Sequence, residues 1–184
     1  MNNKNILFFF KNEKLVLATS DKKNKNCIEN IAEIKFDNNE IINQNIFIPT
    51  KIHLYLAEYI KNNDLKNCKA LCALSSNFCL NKKKDNSREI YINNSNSFTN
   101  LKLILHLDDS FLFQLKMLFH KCNLELKQIT FDKICHLYLK KNQIKIENKE
   151  YNLDFCNSFE KNTFIDKKDL LTIFGLYMME NSNE

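Results

Sequence analysis

The order of apolar runs at the start of the chain limits its fold more than any other feature. Runs at 5–10, 14–20 and 30–37 are joined by short polar turns, the first of them Lys11-Asn12-Glu13-Lys14. Runs of this length, spaced this closely, predict three strands before any helix. In "CIENIAEIKFDNN", Ile28, Asn30, Ala32, Ile34 and Phe36 fall in one alternating row, which suits a half-buried strand. The period then changes. Pro49 opens a helix, where its fixed φ and missing N–H do no harm. Ile52, Tyr55, Leu56, Tyr59 and Ile60 share one helical face. "NNDLKN" ends that helix, and "CKALCALSS" is a continuous apolar run, as in a strand buried on both faces.

Residues 81–100 form a polar linker or insertion of low complexity, with a short strand possible at "REIYI". A second half follows at 101–184. "LKLILHL" reads as a strand, Asp108, Asp109 and Ser110 as a helix cap, and Leu112, Leu115, Leu118, Phe119 and Cys122 as one helical face. "LELKQIT" is strand-like, and Phe131, Ile134, Cys135 and Tyr138 make the face of a shorter helix. "NQIKIENKEYNLDF" suggests a hairpin turning near Asn148, and Leu170, Leu171, Phe174, Tyr177 and Met178 describe a closing helix. The chain is thus expected to be one domain, 1–184. Its β-β-β-α-β half spans 1–80, and its β-α-β-α half, with hairpin and helix, spans 101–184. That order is mixed α/β.

Composition sharpens the chemistry. Gly175 is the only glycine, Pro49 the only proline and Arg88 the only arginine among 27 basic residues. Average usage would give about 7% Gly and about 5% Pro. An AT-rich genome explains the bias, because Gly, Pro and Arg codons are GC-rich while Lys, Asn, Ile and Phe codons are AT-rich. Lysine and asparagine runs then carry little functional meaning, but missing glycines carry more, since phosphate-binding loops depend on them. The net charge of +5 is spread along the chain, and patches such as "DKKNKN" and "NKKKDNSR" read as solvated loops. A nucleic-acid surface would more often offer arginine beside aromatics, so no nucleic-acid partner is expected.

Cys27, Cys68, Cys72, Cys79, Cys122, Cys135 and Cys156 contain no C-x-x-C pair, and most lie in apolar runs. They read as small buried hydrophobes in a reducing compartment. A metal site from Cys122, Cys135, His120 and His136 is the alternative, disfavoured by spacing. The N-terminal apolar run is too short for a signal peptide, and no stretch reaches the 18 or more residues of a membrane span, so a cytoplasmic location is expected.

No nucleophile elbow, zincin or Walker motif occurs. Ribonuclease-H-like nucleases also open with three strands, a helix and a strand, but they need a carboxylate on the first strand to hold Mg²⁺. Ile6-Leu7-Phe8-Phe9-Phe10 has none. Asp108-Asp109 is the best acidic pair and reads first as a helix start, as does Asp132. No catalytic residue, cofactor or metal is expected.

Two stretches resemble the PilM family of type IV pilus assembly proteins. "IFIPTKIHLYLAEYIKNNDLKNCKALCALSS" is similar to its helix–strand segment, where a proline opens a helix and a buried strand ends in "SS". "LKLILHLDDSFLFQLKMLFHKCNLELKQITFDKICHLYLK" is similar to its later strand–helix–strand–helix segment, with Leu115, Leu118, Leu124, Ile129, Asp132 and Leu137 in place. "LLTIFGLYM" resembles its closing helix. Together they cover about half of the chain. The resemblance implies a ribonuclease-H-like (actin-like) mixed sheet flanked by helices. Few residues follow Lys141, so the fold is expected to be reduced to about one lobe.

The resemblance also implies a role: a non-enzymatic scaffold at the cytoplasmic face of the inner membrane, in a type IV pilus or type II secretion-like machine. Such a scaffold holds the cytoplasmic tail of a membrane-anchored, PilN-like partner and is peripheral to the membrane through it. The family's phosphate loop of the type D-I-G-S-S-S-x-K would fall in the opening hairpin, and none of its Asp, Gly or Ser residues is there. A degenerate actin-like ATPase and a lysine-rich nucleic-acid-binding module are the rival readings. The expected partner site is Phe78, Tyr91 and Ile92, rimmed by Lys82, Lys83, Lys84 and Arg88. An apolar patch edged by positive charge suits a short peptide docked in a groove or added as a strand. The same segment also reads as a plain surface loop whose aromatics cap the sheet.

Overall fold

The computed structural model describes residues 4–21, 27–36, 50–78, 87–94, 101–139, 143–146, 149–152 and 165–181. Three strands come first: β1 (Lys4–Phe10), β2 (Lys14–Asp21) and β3 (Cys27–Lys35). Helix α1 (Thr50–Asn62) leads to β4 (Lys69–Leu74) and a single 3-10 turn, Ser76–Phe78. A ribbon of β5 (Ser87–Asn94) and β6 (Leu101–Asp108) precedes α2 (Asp109–Lys121). Next come β7 (Glu125–Phe131), α3 (Asp132–Leu137), the short pair β8 (Gln143–Ile146) and β9 (Lys149–Asn152), and α4 (Lys167–Asn181). Pro49 lies outside the described residues.

Seven strands form one sheet in the order β7-β4-β1-β2-β3-β8-β9, and β5 pairs only with β6. β4 runs parallel to β1, β7 to β4 and β8 to β3, so that only β2 and β9 are reversed. The five strands β7-β4-β1-β2-β3 are the mixed core of the molecule. β1, apolar from Ile6 to Phe10, is at their centre, with Ile6, Leu7, Phe8 and Phe10 at zero exposure.

Alternation along β1 divides its side chains between two helical layers. Phe8 meets Phe119 of α2 edge-on, with ring centroids 4.8 Å apart. Asn5, on the other face, donates to Glu180 of α4 at 2.6 Å. α1 joins α2 on the Phe8 side. Its Tyr59 hydroxyl donates to the Asn30 carbonyl, and the Asn30 amide donates in turn to Thr19, which pairs with Ile6. α3 packs on α4, and α4 rests on β1, β2 and β4. Every residue of α4 from Thr172 to Met179 is buried. An apolar stripe on one side understates this helix, which is covered all round.

One expectation about β3 fails. The register shifts between Leu17 and Thr19, so Ala32 pairs with Leu17 but Ile28 pairs with Ser20. The extra residue is a bulge with Asn30 at φ 50, and it turns Ile28 to the opposite face from Ala32 and Ile34. Asn30, Asp64, Asn67 and Asn123 supply the left-handed backbone positions, and Gly175 does not. Asn and Asp tolerate that conformation best after glycine, which is how so asparagine-rich a chain turns corners. At the end of α2, for instance, Asn123 takes φ 54 and Leu124 N–H closes on the Phe119 carbonyl at 3.0 Å.

Candidate functional site

The first candidate is the opening hairpin, the place where a phosphate loop would lie. Phe10 pairs with Leu15 at its base, and the Lys11 N–H donates to the Lys14 carbonyl at 2.9 Å. The Glu13 carbonyl accepts from Phe36 N–H at 2.9 Å, which ties the turn to the end of β3. None of the four turn residues has a positive φ. Where right- and left-handed residues alternate, backbone amides converge into a nest for an anion. This turn offers no such cradle.

Its side chains are engaged as well. Asp169, in the first turn of α4, reaches into the hairpin with its side chain only 2% exposed. Its Oδ1 accepts from Lys11 Nζ at 3.2 Å. Its Oδ2 lies 2.7 Å from Lys14 Nζ, an ion pair by distance whose angle falls outside hydrogen-bond geometry. Lys14 also donates to Glu33 of β3 at 2.9 Å. Burial by itself pulls the Lys14 ammonium down. The ion pair with Asp169 and the hydrogen bond and charge of Glu33 outweigh it and hold the group above an ordinary lysine. Glu13 stands 3.5 Å from Lys11. Two lysines therefore face three carboxylates, and their charge is answered within the protein.

The expected partner site is only partly brought together. Phe78 is buried at 8% exposure and stacks on Phe111 of α2, with centroids 5.1 Å apart. It anchors the 3-10 turn against α2 instead of facing outward. Tyr91 and Ile92 are on β5, opposite Ile104 and Leu103, and Arg88 is opposite Leu107. Lys82, Lys83 and Lys84 lie outside the described residues.

The acidic residues keep structural roles. Asp108 caps α2, accepting from Ser110 N–H at 2.9 Å and Phe111 N–H at 3.3 Å. Asp132 accepts from Lys133 N–H at 2.7 Å and from Ser76 N–H at 3.1 Å, so it fastens the end of β4 to the start of α3. His120 is exposed at the end of α2, whereas His136 lies 3.1 Å from Thr172 of α4. Among the described residues no three His, Cys, Asp or Glu side chains converge as a metal site. Cys68, Cys72, Cys122 and Cys135 are free and buried, and burial pushes each thiol up.

No described helix is long and apolar enough to cross a membrane. No protein-family model matches the sequence, and no curated protein does. Several solved structures are similar in shape. A Bacteroides thetaiotaomicron protein with an actin-like ATPase fold and unknown function shares 12% identity over 77% of this chain, with TM-score 0.48. This chain spans only 58% of that protein's length. The cytoplasmic domain of EpsL, an inner membrane component of the Vibrio cholerae type II secretion system, shares 6% identity. That likeness covers 87% of this chain and 75% of the domain, with TM-score 0.49. The ethanolamine utilization protein EutJ from Carboxydothermus hydrogenoformans shares 7% identity over 85% of this chain and 57% of its own, with TM-score 0.37. The strand order itself carries the fold: a mixed α/β sheet of five core strands with helices on both faces, an actin-like, ribonuclease-H-like lobe.

Proposed function

We propose that the chain is a non-enzymatic scaffold that holds a peptide segment of a membrane-anchored partner. The observation that carries this reading is the engaged hairpin. Lys11 and Lys14 are occupied by Asp169 and Glu33, and the turn has no left-handed residue with which to wrap a phosphate. A lobe of this fold whose hairpin lysines are already paired is, on this reading, kept for its surface.

The finer reading is PilM-like: a cytoplasmic protein of a pilus or secretion machine that binds the tail of a PilN-like membrane protein. It rests on the sequence resemblance, whose two long stretches fall on α1–β4 and on β6–α2–β7–α3. β5, the partner strand of β6, falls between them in the sequence. Tyr91, Ile92 and Arg88 of β5, with Lys82, Lys83 and Lys84 of the preceding segment, are the proposed landing place.

Two measurements test the reading. A thermal shift with Mg-ATP is expected to be flat. Ligand at 100 Kd adds about 2.7 kcal/mol to the folded state, so a clear upward shift would overturn it. The synthetic cytoplasmic tail of a candidate PilN-like membrane protein is expected to capture the chain from solution. Tyr91→Ala with Ile92→Ala, folded by circular dichroism, should lose that capture. Full capture by the double variant would place the interface elsewhere, and no capture by the native chain would remove the PilN-like partner.

A further inference from the structure

Among the described residues four large apolar side chains stand exposed: Leu54 (67%), Tyr55 (50%), Phe113 (64%) and Met117 (37%). All four are on α1 and α2, the two helices that cover the Phe8 side of the sheet. Their distribution follows from helix geometry. Ile52, Leu56 and Ile60 are the core stripe of α1, and Leu54 projects from the opposite side. Phe111, Leu115, Leu118 and Cys122 fill the core from α2, which leaves Phe113 and Met117, one turn apart, pointing away. Neither pair contributes to the core.

The exposed charge of the two helices is positive on balance. Exposed positions carry Lys51, Lys61, Lys116 and Lys121, with His120 between the last two, against Glu58, one turn from Leu54, and the partly exposed Asp109, one turn before Phe113. Apolar tips on helices with a surplus of lysine suit an anionic surface. We infer that the α1/α2 layer is a docking face for an anionic phospholipid membrane, which the chain touches directly. This stands apart from the scaffold reading, in which the membrane is reached through a partner.

Shape and charge choose among occupants. A peptide docks by adding a strand to a sheet edge or by filling an apolar groove, whereas these four side chains are tips on helices. A second copy of this chain would bring lysine against lysine, a repulsive arrangement. A bilayer surface is broad, negatively charged and soft enough to admit phenylalanine, leucine and methionine at its acyl boundary.

The test is co-sedimentation of the full chain with vesicles of equal parts phosphatidylglycerol and phosphatidylcholine, against pure phosphatidylcholine. The chain is expected to pellet with the mixed vesicles alone, and less as salt rises. Lys61→Glu with Lys116→Glu should weaken partitioning about twentyfold or more. Leu54→Ser with Phe113→Ser should also release the protein, and both pairs are exposed enough to leave the circular dichroism spectrum unchanged. Lys133→Glu with Lys168→Glu, exposed on the other helical layer, changes net charge equally and should leave binding intact. Equal pelleting with both vesicle types, or equal loss in that control pair, would overturn the assignment. So would a dimer in sedimentation velocity that Phe113→Ser dissolves, since the face would then belong to a second copy.

Discussion

Gly175 and Cys135 touch backbone to backbone: a Cβ on Gly175 would fall 2.2 Å from the Cys135 carbonyl oxygen. The atom in the way is main chain, so no rotamer change relieves the clash, and α3 would have to lift from α4. The only glycine in the sequence is held by this approach, not by a turn. Gly175→Ala is expected to cost about 3 kcal/mol through overpacking, read as a lower denaturation midpoint. A midpoint within error of the native chain would show that the two helices separate freely.

The Lys14–Asp169 tie makes a second prediction. Asp169→Asn removes the carboxylate between two lysines in a buried setting and should cost about 3 kcal/mol, and Lys14→Met about as much. The two groups share their partners, so the double variant should lose at least about 1 kcal/mol less than the sum of the singles. Full additivity would mean that the pair does not stabilise the fold.

That tie also responds to pH. Lys14 is raised from the ordinary lysine value of 10.5 in the folded chain. A raised lysine contributes stability below its unfolded value and loses it as pH climbs through the folded one. The stability gap between the native chain and Lys14→Met should therefore hold steady through neutral pH and close only above about pH 10.5. A gap that closes between pH 7 and 9 would assign the effect to another group.

Thiol reactivity gives a fourth prediction. Cys72 and Cys135 have no exposure, Cys68 has 1% and Cys122 has 7%. Burial raises all four thiols, so the reactive thiolate is both scarce and screened. In the native chain these four are expected to react only on unfolding. Single Cys→Ser variants with a thiol-specific reagent assign each one. Fast labelling of Cys72 or Cys135 at neutral pH would contradict their placement.

Phe78 yields the last. With its ring on Phe111, Phe78→Ala should destabilise the fold by about 3 kcal/mol. An exposed docking residue would change stability little, so urea denaturation separates the two roles.

Most elements were legible because local period writes them. β1, β2, α1, β4, α2, β7 and α4 appear where the apolar rows of the sequence ask for them, and the β8–β9 pair flanks the expected turn. Capping by Asp108 was equally local. The misreadings have a common cause in contacts that sequence spacing does not encode. Lys11 meets Asp169 across 158 residues, and no pattern near either one announces the other. Phe78 follows a polar "SSN" and resembles a surface residue until α2 returns to cover it. The bulge at Asn30 breaks an alternation that looks continuous in "CIENIAEIKF".

The position of α4 has a consequence for how the molecule is made. β1 is the central strand, yet the face that carries Asn5 is covered by α4, whose Glu180 follows Asn5 by 175 residues. β1 also waits for β4 to gain its parallel neighbour, and β4 waits for β7 to be paired on both edges. Partners this distant in sequence make folding slow and leave apolar strands uncovered meanwhile. The nascent chain cannot bury its most hydrophobic strand until residues 167–181 have left the ribosome, so chaperone occupancy on residues 5–20 should persist until that helix emerges.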